Sequence, residues 1–103
     1  MAKIFEPPNR QFAASGYFSV DRLIAIVGGQ PAAYILVSMP NQFLVVNQYA
    51  QSSNMEKNEI ASEFAHSDIW GVAIWCDKTE LPQDMEIKGE VRRRFPRRRL
   101  SAR

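Results

Sequence analysis

Apolar residues in the first half of the chain fall in short runs that are separated by turn-forming residues. The runs span residues 17–27, 32–39 and 43–49. Gly28-Gly29-Gln30-Pro31 divides the first run from the second, and Pro40-Asn41-Gln42 divides the second from the third. Because short turns between apolar runs are typical of hairpins, this pattern predicts three strands of an antiparallel meander.

The first run also has the features of a helix over residues 20–27. Ser19 or Asp21 can cap such a helix at its start, and Gly28 and Gly29 can end it. The apolar pattern of so short a run fits both structures, so the helix stands as the alternative to a strand.

The second half of the chain predicts one helix followed by two strands. Residues 55–65 form the predicted amphipathic helix, which Ser53 or Asn54 can cap. The apolar side chains near one face of this helix are Met55, Ile60 and Phe64. Residues 69–76 are almost all apolar and rich in β-branched and aromatic side chains, which favours a central strand.

The last predicted strand, residues 85–91, alternates between apolar and charged side chains. Its inward side chains are expected to be Met85, Ile87 and Val91, and its outward side chains Glu86, Lys88 and Glu90. Strict alternation of this kind indicates a half-buried strand near the edge of a sheet.

These elements together predict an α+β protein. We expect a small antiparallel sheet of four to five strands, meander-like in order, with the one main helix packed on it. Residues 1–16, which contain Pro7-Pro8, are expected to be an extended arm, residues 17–91 a single α+β domain, and residues 92–103 an Arg-rich tail. With a single helix, one face of the sheet would stay uncovered and open to a partner.

Composition narrows the classes of protein to which the chain can belong. Apolar residues make up 46% of its 103 residues and charged residues 23%, as in ordinary globular domains. The single cysteine excludes an internal disulfide and a multi-cysteine zinc site, and the single histidine excludes a histidine-rich metal site. No export signal is recognised in the first residues. Glycines and Pro31 break the most apolar stretch, residues 23–39, so no membrane span is expected.

The net charge of +2 conceals a strong asymmetry along the chain. Residues 1–89 carry six basic and ten acidic side chains, for a net charge of −4, whereas residues 90–103 carry seven arginines and one acid, for +6. The arginines are Arg92, Arg93, Arg94, Arg97, Arg98, Arg99 and Arg103. Because the guanidinium group offers a planar pair of donors, this tail is a candidate phosphate- or carboxylate-binding segment.

Phe95-Pro96 and Leu100 interrupt the arginines. Pro96 prevents a continuous helix or strand ladder, while Phe95 can stack on a base or insert into a protein surface. A solvated chain terminus without a partner explains the same pattern.

Residues with catalytic chemistry occur only in weak combinations. Cys76 and His66 form the only thiol–imidazole combination, but Cys76 is expected in the core and His66 at the end of a helix. The acidic pairs Glu59 with Glu63 and Asp77 with Glu80 fit exposed surfaces as well as acid–base or cation chemistry. We therefore assign no catalytic residue, no metal site and no cofactor.

Glycines and aromatic residues give weaker signals. Gly28-Gly29 lacks the other residues of a phosphate-binding motif and fits a plain turn. Tyr49 belongs to an amide-rich stretch that can stack bases or contact protein, although solvent-facing alternation along a strand also explains it. Trp70 and Trp75 are five positions apart, so a strand would point them to opposite faces, and one of them is expected at an interface.

These observations predict a non-enzymatic interaction protein. It would be an accessory subunit or modulator of a larger macromolecular assembly, of a kind that viruses and plasmids encode, docking through its arm, sheet face and tail. The expected partner is a protein or a second copy of the chain, with no membrane and no small-molecule substrate. The alternative is a nucleic-acid-binding protein that places the tail on phosphates. The expected location is the cytoplasm, or the host cytoplasm or particle for a viral protein.

Overall fold

A computed structural model describes residues 2–36, 39 and 41–91 of the chain. Within these residues, six strands form one mixed sheet, and a helix packs against each face of that sheet. The α+β class is confirmed, but the sheet is larger than expected and mixed rather than purely antiparallel.

The order of the strands in the sheet differs from their order in the chain. The strands are β1 (Ala2–Glu6), β2 (Arg10–Ala14), β3 (Pro31–Leu36), β4 (Gln42–Asn47), β5 (Ala73–Asp77) and β6 (Ile87–Val91). Across the sheet they lie in the order β2-β1-β5-β4-β3-β6. Neighbours are antiparallel except for β3 and β6, which run parallel. The two edges of the sheet are therefore β2 and β6.

Two α-helices cross the sheet, α1 (Val20–Val27) and α2 (Glu59–Ala65), and a 3-10 turn, Lys78–Glu80, follows β5. α1 packs on β3 and β4, and α2 packs on β1. No helix within the described ranges is long and apolar enough to cross a membrane.

The core has two layers, one under each helix. The buried residues on the α1 side are Ala2, Ile4, Phe18, Leu23, Val27, Ala33, Phe43, Val45, Ile74, Cys76 and Leu81. Those on the α2 side are Phe5, Leu36, Leu44, Ala61, Ala65, Ile69, Ala73 and Val91. Because successive residues of a strand point to opposite faces, β1, β4 and β5 each contribute to both layers.

Residues 20–27 form α1, so the helical alternative is confirmed and the predicted strand over 17–27 is wrong. The hydroxyl of Ser19 caps the helix by accepting a hydrogen bond from the Arg22 N–H at 3.2 Å. Gly28 ends it with a φ of 79°, and its N–H donates to the Ile24 carbonyl at 2.8 Å. These two end signals decide between helix and strand where the apolar pattern does not.

The predicted helix over 55–65 ends at the expected residue but begins four residues later. Its N-cap is Asn58 rather than Ser53 or Asn54, because the buried Asn58 side chain accepts a hydrogen bond from the Ala61 N–H at 3.0 Å. The strand predicted over 69–76 likewise begins only at Ala73. Gly71 interrupts the extended chain with a φ of 75°, in the left-handed region.

The segment expected to project as an arm is instead the β1–β2 hairpin. β1 lies between β2 and β5, and Ile4 is opposite both Phe12 and Ile74. The predicted extended conformation is present, but apolar residues such as Phe5 are buried in the sheet. Strand pairing with a segment some seventy positions away explains this outcome, and no local pattern reveals it.

β6 lies at an edge, as predicted, but its alternation is broken. The register shifts between Ala33 and Tyr34, so that Ala33 is opposite Ile87 while Tyr34 is opposite Gly89. Ile87 therefore lies on the α1 side and is 38% exposed, whereas Val91 is buried on the α2 side. The expectation that both residues point inward on one face is wrong, because the extra residue at the irregularity changes the phase.

Each face of the sheet carries a helix, so the expectation of one uncovered face is also wrong. That expectation assumed a single helix, and α1 supplies the second. The face of the sheet consequently gives no argument for an obligatory partner.

Candidate interaction surfaces

The Arg-rich tail follows directly from an edge of the sheet. Its predicted binding residues lie outside the described part of the chain; they are Arg92, Arg93, Arg94, Arg97, Arg98, Arg99 and Phe95. The last described residue, Val91, is buried at the end of β6 and opposite Leu36 of β3. The folded body therefore fixes the point at which the tail begins.

An open cleft of about 710 Å³ lies at this point; we call it the tail-root cleft. It is lined by Ser62, Glu63, His66, Ser67, Asp68, Glu90 and Val91. Three of these residues are carboxylates, and α2 ends beside them with the negative end of its dipole. Lys57 contacts Asp68 at 3.1 Å from outside the lining. The cleft at the root of the basic tail is thus lined by three carboxylates, one of which is paired with Lys57.

A smaller hollow of about 270 Å³ adjoins this cleft and contains Trp70. Tyr34 and Val46 lie in its apolar part, and Asn47, Gln48 and Gln51 bring amide groups from the stretch noted in the sequence. Tyr49, also predicted as a possible interface residue, is 55% exposed but does not line the hollow. The structure therefore brings together Trp70 and the amide-rich stretch, without Tyr49.

Trp75 belongs to the α2-side core. Its ring lies 4.7 Å from that of Phe64, and the Lys3 ammonium is 6.0 Å from its centre. Its indole Nε1 is buried without a hydrogen-bond partner. Trp70 precedes β5, so the alternation of side chains along that strand does not set the direction of Trp70. Both tryptophans are half-buried.

An apolar groove of about 770 Å³ lies on the α1 side of the sheet and was missed in the sequence. Its apolar lining consists of Tyr17, Ile35, Phe43, Leu81, Pro82, Met85 and Ile87. Leu81 and Pro82 follow the 3-10 turn in the connection between β5 and β6. The signal that was available is the apolar Leu81-Pro82 pair between polar neighbours, together with Met85.

The structure separates the residues with catalytic chemistry. Cys76 is fully buried in the α1-side core, whereas His66 lies at the tail-root cleft on the α2 side. The sheet stands between them, so they form no thiol–imidazole pair. The Glu80 carboxylate serves the chain's own backbone, because it accepts from the Asp77 N–H at 2.8 Å. Gly28 ends α1, as a plain turn requires.

The described residues hold no group of three or more histidine, cysteine, aspartate or glutamate side chains arranged for a metal ion. The start of α2 is also occupied by protein groups. The Pro8 carbonyl accepts from the Glu59 N–H at 2.7 Å, and the Asn58 side chain accepts from the Ala61 N–H.

We expect the Cys76 thiol to be unreactive in the folded protein. Burial, with further contributions from the carboxylates of Glu80 and Asp77, raises the pKa of Cys76 to about 12. Since the thiolate is the reactive form, a disulfide reagent at about pH 8 should label the native protein slowly and the guanidinium-unfolded protein at once. Equal labelling rates for the two states would contradict the burial of Cys76.

No protein-family model, no curated protein and no solved structure matches the chain.

Proposed function

We propose that the protein is a non-enzymatic interaction protein, an accessory component of a larger assembly that contains nucleic acid, and that the Arg-rich tail is its contact with the phosphates. The observation that supports this proposal is the separation of charge. Residues 1–91 carry six basic and eleven acidic side chains, and the remaining twelve residues carry seven arginines. A polyanion is therefore attracted to one short segment only.

The charge of the folded body, residues 1–91, restricts phosphate binding to the tail. The eleven acidic and six basic side chains of the body give it a net negative charge, which repels phosphates, and Glu63 of the tail-root cleft adds to this repulsion where the tail begins. The tail is then the part of the molecule at which nucleic acid can approach with favourable charge. Arginine suits this role because its guanidinium group can donate two parallel hydrogen bonds to one phosphate.

Nucleic acid is the better supported of the two expected functions because the other docking elements have lost their basis. The predicted arm is part of the sheet, and both faces of the sheet carry a helix. An acidic protein surface remains the competing partner for the tail, since carboxylates also accept from guanidinium groups.

The proposal is tested by fluorescence anisotropy with a labelled duplex of random sequence and a single strand of equal length. The full chain should bind both at low salt, and a chain that ends at Val91 should bind at least about a hundredfold more weakly. On the duplex, the logarithm of the binding constant should fall with the logarithm of salt concentration by about 0.9 for each phosphate contact.

Two controls make the result specific to the tail. Lys78→Gln removes one exposed cation from the body and should leave binding unchanged. A chain in which all seven tail arginines are lysines keeps the charge and should bind more weakly if paired donors matter. If the full chain does not bind at low salt, nucleic-acid binding is wrong and an acidic protein surface becomes the partner of the tail. If the truncated chain binds as well as the full chain, the tail is not the contact with the phosphates.

A further inference from the structure

The two edges of the sheet differ in how well they are protected against pairing with another chain. In an edge strand, the N–H and C=O groups of every second residue point away from the sheet and have no strand partner. Proteins protect such edges with bulges and lysines. β6 has both devices, since its register is irregular and Lys88 lies at the irregularity. Lys88 and Glu86 form an ion pair there at 3.5 Å.

β2 has none of these devices. It pairs with β1 in an unbroken register of five residue pairs, from Ala2 with Ala14 to Glu6 with Arg10. Its sequence contains no proline, and its only charge, Arg10, lies at the hairpin end in contact with Glu6 at 3.4 Å. Phe12, at the centre of the strand, is 42% exposed.

We propose that β2 pairs antiparallel with β2 of a second copy of this chain, joining the two sheets across a two-fold axis at Phe12. A regular strand with free backbone groups accepts another strand, and this strand is complementary to itself. Pairing centred on Phe12 places Phe12 opposite its equivalent, Gln11 opposite Ala13, and Arg10 opposite Ala14 of the second copy. No like charges face each other, and the central pair is aromatic.

The size of this contact sets its strength. Five residues on each side bury less than the roughly 1,200 Å² that typify stable interfaces, so the dimer should form and dissociate with concentration. Each dimer would carry two Arg-rich tails, one from each copy. The inference does not depend on the proposed function, since β2 and the tail lie on different parts of the chain.

Sedimentation velocity of the full chain, from micromolar to millimolar concentration and without nucleic acid, tests the proposal. The wild-type chain should shift from monomer to dimer. Phe12→Lys and Phe12→Glu should each remain monomeric, because each places like charges opposite one another at the two-fold axis. An equimolar mixture of the two variants should dimerise, because the central pair then has opposite charges. Lys88→Glu, on the other edge, should dimerise like wild type.

A cross-linking variant keeps the test independent of the stability of the charged variants. Opposite Cα atoms in an antiparallel pair are about 4.5–5.5 Å apart, a distance that a disulfide can span. Phe12→Cys should therefore cross-link into dimers under mild oxidation, and Thr79→Cys, in the 3-10 turn, should not. A wild-type chain that is monomeric at every concentration, or a dimer that survives Phe12→Lys, overturns the proposal.

Discussion

Replacing Asn58 with alanine should lower the free energy of unfolding by about 3 kcal/mol or more. The Asn58 side chain is fully buried. Its amide donates to the carbonyls of Phe5 and Gly71, each at 2.8 Å, and its oxygen accepts from the Ala61 N–H at 3.0 Å. Alanine would remove all three hydrogen bonds from a buried site, and each buried group that is left unpaired costs about 1–3 kcal/mol. Urea denaturation of the full chain measures the loss.

A matched series of variants separates the cap of α2 from the hydrogen bonds that Asn58 donates to Phe5 and Gly71. Asn58→Ser keeps an oxygen that can cap α2 but loses the two amide N–H donors. Its free energy of unfolding should therefore lie between that of wild type and that of Asn58→Ala. Ser19→Ala removes the cap of α1 at an exposed position and should cost only about 1 kcal/mol. If Asn58→Ala costs no more than Ser19→Ala, the carbonyls of Phe5 and Gly71 do not depend on Asn58.

The importance of Asn58 could not be read from the sequence. As a cap it competes with Ser53 and Asn54, which precede the same acidic and apolar pattern. What distinguishes Asn58 is its contact with Phe5, 53 positions earlier in the chain. Pairing over such a distance is a property of the folded sheet, and local rules give no access to it.

The elements that were predicted well are those with local signals. The end of α2 at Ala65 and the strands β3 and β4 follow from a polar break or a turn next to an apolar run. The parallel pairing of β6 with β3 was missed because neighbouring apolar runs favour antiparallel pairing by default. The chain between β4 and β6 passes through α2, β5 and the 3-10 turn, and it brings β6 to the sheet in the same direction as β3. No single segment of the sequence encodes that path.

Some features of the candidate surfaces could likewise be predicted from the sequence, and others could not. The separation of charge is a linear property, so the tail and the acidic body could be identified from composition alone. The tail-root cleft could not, because Glu63 comes from α2, Asp68 from the loop after it, and Glu90 from β6. The separation of Cys76 from His66 by the sheet likewise became visible only with the assignment of faces.

The second large effect is expected at Ile74, where alanine should cost about 2–5 kcal/mol of unfolding free energy. Ile74 was predicted to lie in a central strand, and this is confirmed. It is fully buried in β5, opposite Ile4 of β1 and Val45 of β4. Both neighbouring strands are fixed by their own partners, so the structure has little freedom to close the cavity that alanine leaves.

Ile74→Val and Ile24→Ala are the controls that connect this loss with the core. Valine removes one methylene group and should cost about 0.5–1.5 kcal/mol. Ile24 is 40% exposed on α1, and its replacement should change stability by no more than about 0.5 kcal/mol. Because β5 joins the β1–β2 hairpin to the rest of the sheet, the loss at Ile74 should appear in one cooperative transition. A separate early transition of the hairpin would show instead that β1 and β2 are held independently of the α1-side core.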